Sequence, residues 1–399
     1  MYICFICREY PPSLRGGGIA FYVKEMAHGL HGLGHQVTVI AASDDTRLSS
    51  EDDDDGVQVI RLKGGDFVIP QLEGKSFLKK FRIFYRFLSY RKRVKNVVKS
   101  LKDVDIIEVP EYGAESYFLS DLKVPVVLRL HTPTLFDRNN LGITKYRGVR
   151  KIFAWTGGKE LMLIRKAKYI SSCSRALAKW TADNIGIDIE SIKVIYNPVS
   201  LPEDSTIKQK KCNRISIVFV GTISDVKGCG DLLEAGKILS EKKLSLDIYL
   251  YGKMGVYAQT LEEKGKDYPW FHVMGKVNRE DVFDIYRNAT IVCFPSWWDN
   301  MPMVCLEAMG VGAVVLGSSS GGMSEIIEDG KSGYLIEPHD PHALARKITS
   351  IVGLSDERRA SISENAKKKI HDCFGKEVIV RQMTEYYQSV IDDYKKAYK

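Results

Sequence analysis

Short apolar runs alternate with stretches of helical period along most of this chain. Runs at 2–7, 37–41, 57–62, 104–109, 124–130, 169–173 and 193–196 are bounded by glycine, proline or polar residues and predict buried strands. Between the first two, Phe21, Val23, Met26, Ala27, Leu30 and Leu33 recur at helical spacing over 19–33, and Gly34 ends the pattern. Further helices are predicted at 160–168 and from Ser174 towards 184. A second series follows, with strands at 215–220, 246–251, 271–274, 289–294 and 313–317. Its helices lie at 231–239, from Pro302 to about 309, and at 323–328. Beyond 338 the chain reads as mostly helical, and 377–398 carries Val380, Met383, Tyr387, Val390 and Ile391 on one side.

Strands alternating with helices predict α/β architecture with parallel sheets, in which ligands bind where strands end and helices begin. The stretch 199–214 is polar, lacks periodicity after its first residues and reads as a linker. The expected organisation is therefore a first Rossmann-like domain over 1–198, the linker 199–214, a second Rossmann-like domain over 215–375, and a C-terminal helix over 376–399. The acidic stretch 49–55 is expected to be a solvated loop.

Composition bounds this picture without changing it. Apolar residues make up 44% and charged residues 27% of 399 residues, as in globular proteins with ample cores. Lys and Arg number 58 against 50 Asp and Glu, a mild formal +8. No apolar run is long enough to span a bilayer and no basic leader precedes the first strand, so a cytoplasmic protein is expected. The cysteines are scattered; Cys4 and Cys7 are spaced C-x-x-C but fall within a predicted strand, and all are read as reduced core thiols.

Charge distribution matters more than its sum. The stretch 75–102, which begins and ends on Lys75 and Lys102, holds eleven Lys or Arg and no Asp or Glu, interleaved with Phe77, Phe81, Phe84, Tyr85, Phe87 and Tyr90. One or two amphipathic helices are expected there. Two readings stand: a packed helix whose charges face water, or a helix lying on an anionic membrane surface. Nucleic-acid binding is not expected, because nothing else reads as such a module.

The chemistry concentrates in 291–338. Asp299 lies in the loop after one predicted strand, and Glu307 follows eight residues later inside the next helix. Backbone N–H groups at about 301–304, Met303 and Val304 among them, are unpaired first-turn donors that suit an anion. A diphosphate bound there has one carboxylate in reach of each flanking sugar, which is the layout of a nucleotide sugar. Near the N-terminus, Gly16, Gly17 and Gly18 form a loop between strand and helix where a ligand can approach the backbone. Its spacing is not the G-x-G-x-x-G of a dinucleotide fold. His131 sits at the carboxyl end of a predicted strand, where such sheets place ligands.

The run from Pro295 to Glu307, continued through Gly321, Gly322, Gly330 and Gly333, resembles the retaining glycosyltransferases of family 4, which have the GT-B fold. That resemblance implies two facing Rossmann-like domains with a cleft between them, and a C-terminal helix over 376–399 that returns to the first domain. It also implies that Asp299, in place of the first glutamate of the family's Glu-x7-Glu, contacts the donor sugar and that Glu307 contacts the nucleotide ribose. Gly17 and Gly18 correspond to paired glycines facing the donor phosphates, with Gly34 and His35 at the matching distance downstream. His131 corresponds to a histidine facing the reacting sugar. Lys227 matches the lysine on the donor diphosphate, whereas Thr222 stands where the family usually has arginine. The segment 276–278 is implied to line the base pocket through backbone groups, and 132–146 reads as an acceptor-side lid.

The reaction implied is transfer of a glycosyl group from a nucleotide-diphosphate sugar to a hydroxyl acceptor with retention, in synthesis of a bacterial surface polysaccharide or lipid-linked oligosaccharide. The leaving diphosphate accepts the proton, stabilised by Lys227 and helix N-termini. No carboxylate pair is placed as the acid and nucleophile of a glycosidase. No metal site and no cofactor are expected, the nucleotide sugar being a co-substrate. A GT-B-fold epimerase or phosphorylase is the rival enzyme class, and a non-catalytic membrane- or polyanion-binding protein the rival outside enzymes.

Overall fold

A computed structural model of the chain describes residues 1–14, 16–45, 47–64, 77–146, 151–202 and 214–397, and leaves out the side chains of 77–83 and 151–153. The chain divides into two compact units: Met1–Asp137, Leu141–Pro198 and Lys376–Lys399 form unit 1, and Val199–Gly375 with Arg138–Asn140 form unit 2.

Unit 1 begins β1 (Tyr2–Ile6), α1 (Gly18–Gly32), β2 (Gln36–Ala42), β3 (Ser50–Asp54), β4 (Val57–Leu62) and α2 (Phe77–Ser100). It continues β5 (Ile106–Pro110), β6 (Val126–Leu130), α3 (Lys151–Lys166), β7 (Tyr169–Ser172), α4 (Arg175–Ile185) and β8 (Ile192–Val194). The eight-stranded sheet has the order β3-β4-β2-β1-β5-β6-β7-β8, parallel except for β3. β1, β5 and most of β2 are buried along their length, as expected of parallel strands covered on both faces.

Unit 2 contains β9 (Ile215–Val220), α5 (Cys229–Glu241), β10 (Leu246–Tyr251), α6 (Val256–Gly265), β11 (Phe271–Gly275) and α7 (Arg279–Asn288). There follow β12 (Ile291–Phe294), α8 (Met303–Gly310), β13 (Val315–Ser318), α9 (Met323–Ile326), β14 (Tyr334–Ile336), α10 (Pro341–Val352) and α11 (Asp356–Phe374). Its six-stranded sheet, β11-β10-β9-β12-β13-β14, is parallel throughout.

The last helix, α12 (Lys376–Ala397), belongs to unit 1. Its Ile379, Val380, Met383, Tyr387, Val390 and Ile391 join Val23, Met26 and Leu30 of α1 in one buried cluster with the sheet. Gly29 of α1 makes the close approach possible, since a Cβ there would lie 2.4 Å from Val380 Cγ2.

Several expectations are corrected. Residues 49–55 are not a loop: β3 pairs antiparallel with β4, its acidic side chains mostly in water, a charged edge that discourages further strand addition. The helix expected at 160–168 starts earlier, at Lys151, because Gly157 and Gly158 interrupt its apolar pattern; Gly157 packs directly under Leu135. Pro302 caps α8 from outside with extended backbone instead of forming its first turn. The start of the expected linker is fixed on unit 2, where the Val199 N–H donates to the Phe374 carbonyl at 2.9 Å and Leu201 packs on Gly310. Residues 203–213 lie outside the described residues, as do 75–76 of the basic stretch.

From residue 84 onwards the basic stretch favours the packed-helix reading. Phe87, Tyr90, Val94 and Val98 are buried, and Phe84 and Phe87 meet the Trp155 ring edge-on. Arg91 is buried too, donating to the Ala114 carbonyl at 2.9 Å and pairing with Glu115 at 3.2 Å. Tyr85 remains exposed, alongside Lys92 and Lys99.

The Gly29 contact generates a test. Gly29→Val is expected to cost about 1–3 kcal/mol by forcing α1 from α12. Gly32→Ala, whose added Cβ meets no atom within 4 Å, is expected to be neutral or slightly stabilising. Urea unfolding of both variants measures this, and equal stabilities would disprove the packing argument.

Candidate functional site

In unit 2 the strand order runs outward in both directions from the β9–β12 pair, so their carboxyl-end loops part where a doubly wound sheet binds ligands. The loop after β9 passes Gly221 and the exposed Thr222 and ends in a single helical turn, Asp225–Lys227. Gly228 follows with φ +69°, and a Cβ there would lie 2.1 Å from the Pro295 carbonyl oxygen. Only glycine allows that contact. The Trp297 N–H then donates to the Val226 carbonyl at 3.0 Å, and Trp297 Nε1 donates to Asp231 at 3.0 Å. A third loop closes on the same point, because the Gly322 N–H donates to the Asp299 carbonyl at 2.8 Å. Asp299 is thus held by its backbone, and its Oδ2 forms an ion pair with Lys227 Nζ.

α8 begins beside this pair. The Pro302 carbonyl accepts the Cys305 N–H at 3.0 Å and the Leu306 N–H at 3.3 Å, so the N–H groups of Met303 and Val304 precede the first helical bonds. Together with the helix dipole they suit an anion. Glu307 is mostly buried one turn further on, its Oε1 3.1 Å from Nη2 of Arg279, the first residue of α7. Among the described residues no group of three or more His, Cys, Asp or Glu is placed to hold a metal ion.

In unit 1 the strand order parts between β1 and β5. Gly17 caps α1 and Gly18 opens it, with no heavy atom within 4 Å of where a Gly18 Cβ would stand. His131 follows β6. Its N–H and that of Thr132 donate to the buried Glu111 carboxylate at 2.9 and 2.6 Å, and burial pushes Glu111 up to about 8. Glu160 ties this loop to the one after β5, accepting from the Thr134 N–H at 2.7 Å and the Gly113 N–H at 2.6 Å. The His131 ring meets the Tyr22 ring edge-on, with centroids 5.1 Å apart. Tyr22 lies one turn beyond Gly18, so strand end and helix start are neighbours. Burial, then the Arg129 guanidinium, hold the His131 imidazole well below its ordinary 6.5.

The pattern of the Glycosyltransferase Family 4 proteins matches residues 16–202, and that of Glycosyl transferases group 1 matches residues 202–369. Together the two matches run through both units. The chain belongs to the family 4 glycosyltransferases. An uncharacterized glycosyltransferase of Methanocaldococcus jannaschii is 25% identical, over 98% of this chain and 99% of that one. Among solved structures, sucrose-phosphate synthase from Thermosynechococcus elongatus superposes with TM-score 0.78 at 16% identity, over 98% and 100% of the two chains. Anabaena HepE, solved in complex with UDP-glucose, superposes with TM-score 0.68 at 16% identity, over 98% and 100%. The two Rossmann-like units are those of the GT-B fold.

On this glycosyltransferase the motif residues fall into two groups. Thr222, Lys227, Asp299, Met303, Val304 and Glu307 gather at the β9–β12 parting of unit 2, and Gly17, Gly18 and His131 at the β1–β5 side of unit 1. Sequence reasoning missed Arg279, which no local motif marks, and Glu111 and Glu160 as braces of the His131 loop. All three act through contacts distant in the chain. The Cys4 and Cys7 thiols are buried and free, and burial pushes both up to about 12.

The neutral imidazole has a consequence for stability. Unfolded, His131 takes up a proton near pH 6.5; folded, it does so only at lower pH. The folded state therefore binds fewer protons below 6.5, and its stability falls as pH drops from 6.5 towards the folded value. His131→Gln removes that proton, so its stability is expected to fall less steeply, by up to ~1.4 kcal/mol per pH unit. Urea denaturation at pH 7, 6 and 5 reads this, and parallel curves would show that the ring protonates freely when folded.

Proposed function

We propose that this glycosyltransferase is a retaining, metal-independent enzyme that moves a sugar from a nucleoside-diphosphate sugar to a hydroxyl of a growing bacterial surface glycan, free or lipid-linked. The observation that carries the reading is the gathering of Lys227, Asp299, Glu307 and the α8 N-terminus at one strand parting. In this reading the diphosphate lies against the Met303 and Val304 N–H groups and Lys227. The Asp299 carboxylate reaches the transferred sugar and Glu307 the ribose. Thr222 offers a hydroxyl and no charge, so helix amides and a single lysine carry most of the phosphate binding. The donor chemistry is supported by the UDP-glucose complex of HepE. His131, neutral at working pH, serves the reacting sugar as a hydrogen-bonding group, and the departing diphosphate takes the acceptor proton.

UDP-glucose is the first donor to try, followed by other nucleotide sugars, with thermal stabilisation as readout. A donor at ~100 times its dissociation constant adds about 2.7 kcal/mol. Glu307→Ala is expected to abolish most of that shift, whereas unchanged stabilisation would remove Glu307 from the donor site. With a matched acceptor, NMR of the product is expected to show the donor's anomeric configuration, and excess chelator to leave the rate unchanged. Rapid isomerisation or phosphorolysis of the donor alone would instead favour an epimerase or phosphorylase.

We also propose that attachment to an anionic membrane is electrostatic over residues 84–100, because most aromatics there face inward. Among the described residues no helix is long and apolar enough to cross a membrane. Co-sedimentation with phosphatidylserine vesicles is expected at low salt and lost near 1 M salt, where the Debye length is about 3 Å. Binding that survives high salt would contradict it.

A further inference from the structure

A buried polar chain runs through unit 1 beneath His131. Strand alternation puts Val127, Arg129 and His131 on one face of β6, and Ile106 and Glu108 on the same side of β5, under α1 and α12. Glu108 is buried with Arg129 in a largely apolar cluster, where a carboxylate is costly unless its oxygens are bonded. Both are: Oε1 accepts from Tyr22 Oη at 2.9 Å and Oε2 from Tyr387 Oη at 2.6 Å. The Arg129 guanidinium lies 4.5 Å from the centre of the Tyr22 ring and donates to Asn197 Oδ1 at 3.0 Å. Tyr22 therefore has its hydroxyl anchored and its face covered, and its ring is the surface that the His131 imidazole meets at 64°.

Apolar side chains of similar size fill such a core at no desolvation cost, so stability alone does not call for this chain of groups. What it provides is direction. A hydrogen bond at the phenol oxygen pins the far end of the ring against the swinging and sliding open to a packed phenylalanine, and an imidazole resting on it inherits that constraint. We propose that Tyr22, Glu108 and Tyr387 are positioning residues for His131, and that α12 is part of the active-site framework through Tyr387. This rests on the reading that His131 serves the reacting sugar. It deepens that reading by assigning a role to a helix that begins 245 residues after the histidine.

Tyr22→Phe and Tyr387→Phe keep ring volume and remove one hydroxyl each, and Glu108→Gln keeps shape while removing charge. Asp393→Asn is the control: it loosens α12 at Tyr169 and Lys168 without touching Glu108. The phenol variants are expected to lower kcat between about tenfold and a hundredfold with donor KM unchanged, the scale of a misplaced catalytic group. They are also expected to move the His131 Cε1–H resonance, assigned with His131→Ala. Asp393→Asn is expected to leave both readouts in place even where Tm falls. An unmoved resonance in both phenol variants overturns the proposal. Full activity in His131→Ala, with the resonance still moved by the phenol variants, instead overturns the assignment of His131 to the reaction and upholds the mechanical link.

Discussion

Parallel strands must be covered on both faces, and that requirement shapes everything else in this enzyme. Helices on both faces need crossovers of one hand, so a sheet built outward in two directions leaves one place where adjacent carboxyl-end loops part. In unit 2 that place is β9–β12, and in unit 1 it is β1–β5. Most residues with a chemical role in the proposed reaction stand at one of these partings or at the start of the helix leaving it; His131 follows the neighbouring strand β6, and Glu307 lies one turn into α8.

At the unit 2 parting, the loops are held together mainly by backbone contacts. Gly228 and Gly321 let three loops touch where any side chain would collide with a carbonyl, and their contacts hold Asp299 before any ligand arrives. Charge is sparse: Lys227 balances Asp299, and Arg279 meets Glu307. In the proposed reaction an anion there is met by amide dipoles at a helix start, which need no reorganisation to receive it.

The unit 1 parting follows a different logic, with carboxylates acting as braces instead of ligands. Glu111 and Glu160 gather N–H groups of the His131 loop, and Glu108 gathers two phenols beneath it. Each is buried, and each is compensated by bonds that fix a direction. The result is an imidazole kept neutral and aimed by groups drawn from β5, β6, α1, α3 and α12.

Hydrophobic periodicity made most strands and helices legible from the chain alone, and local spacing with the resemblance to family 4 singled out Asp299, Glu307, Lys227 and the Gly17–Gly18 loop. These are properties of neighbours in sequence, so one-dimensional reading reaches them. β3 escaped because an exposed edge strand carries no apolar alternation, and the early turns of α3 escaped because Gly157 hides a packing contact with Leu135. Arg279 beside Glu307, Glu111 beneath His131 and Tyr387 on Glu108 were settled only by tertiary structure. Each joins residues brought together by a crossover or by the returning helix, and burial decides both their partners and the protonation of the groups between them.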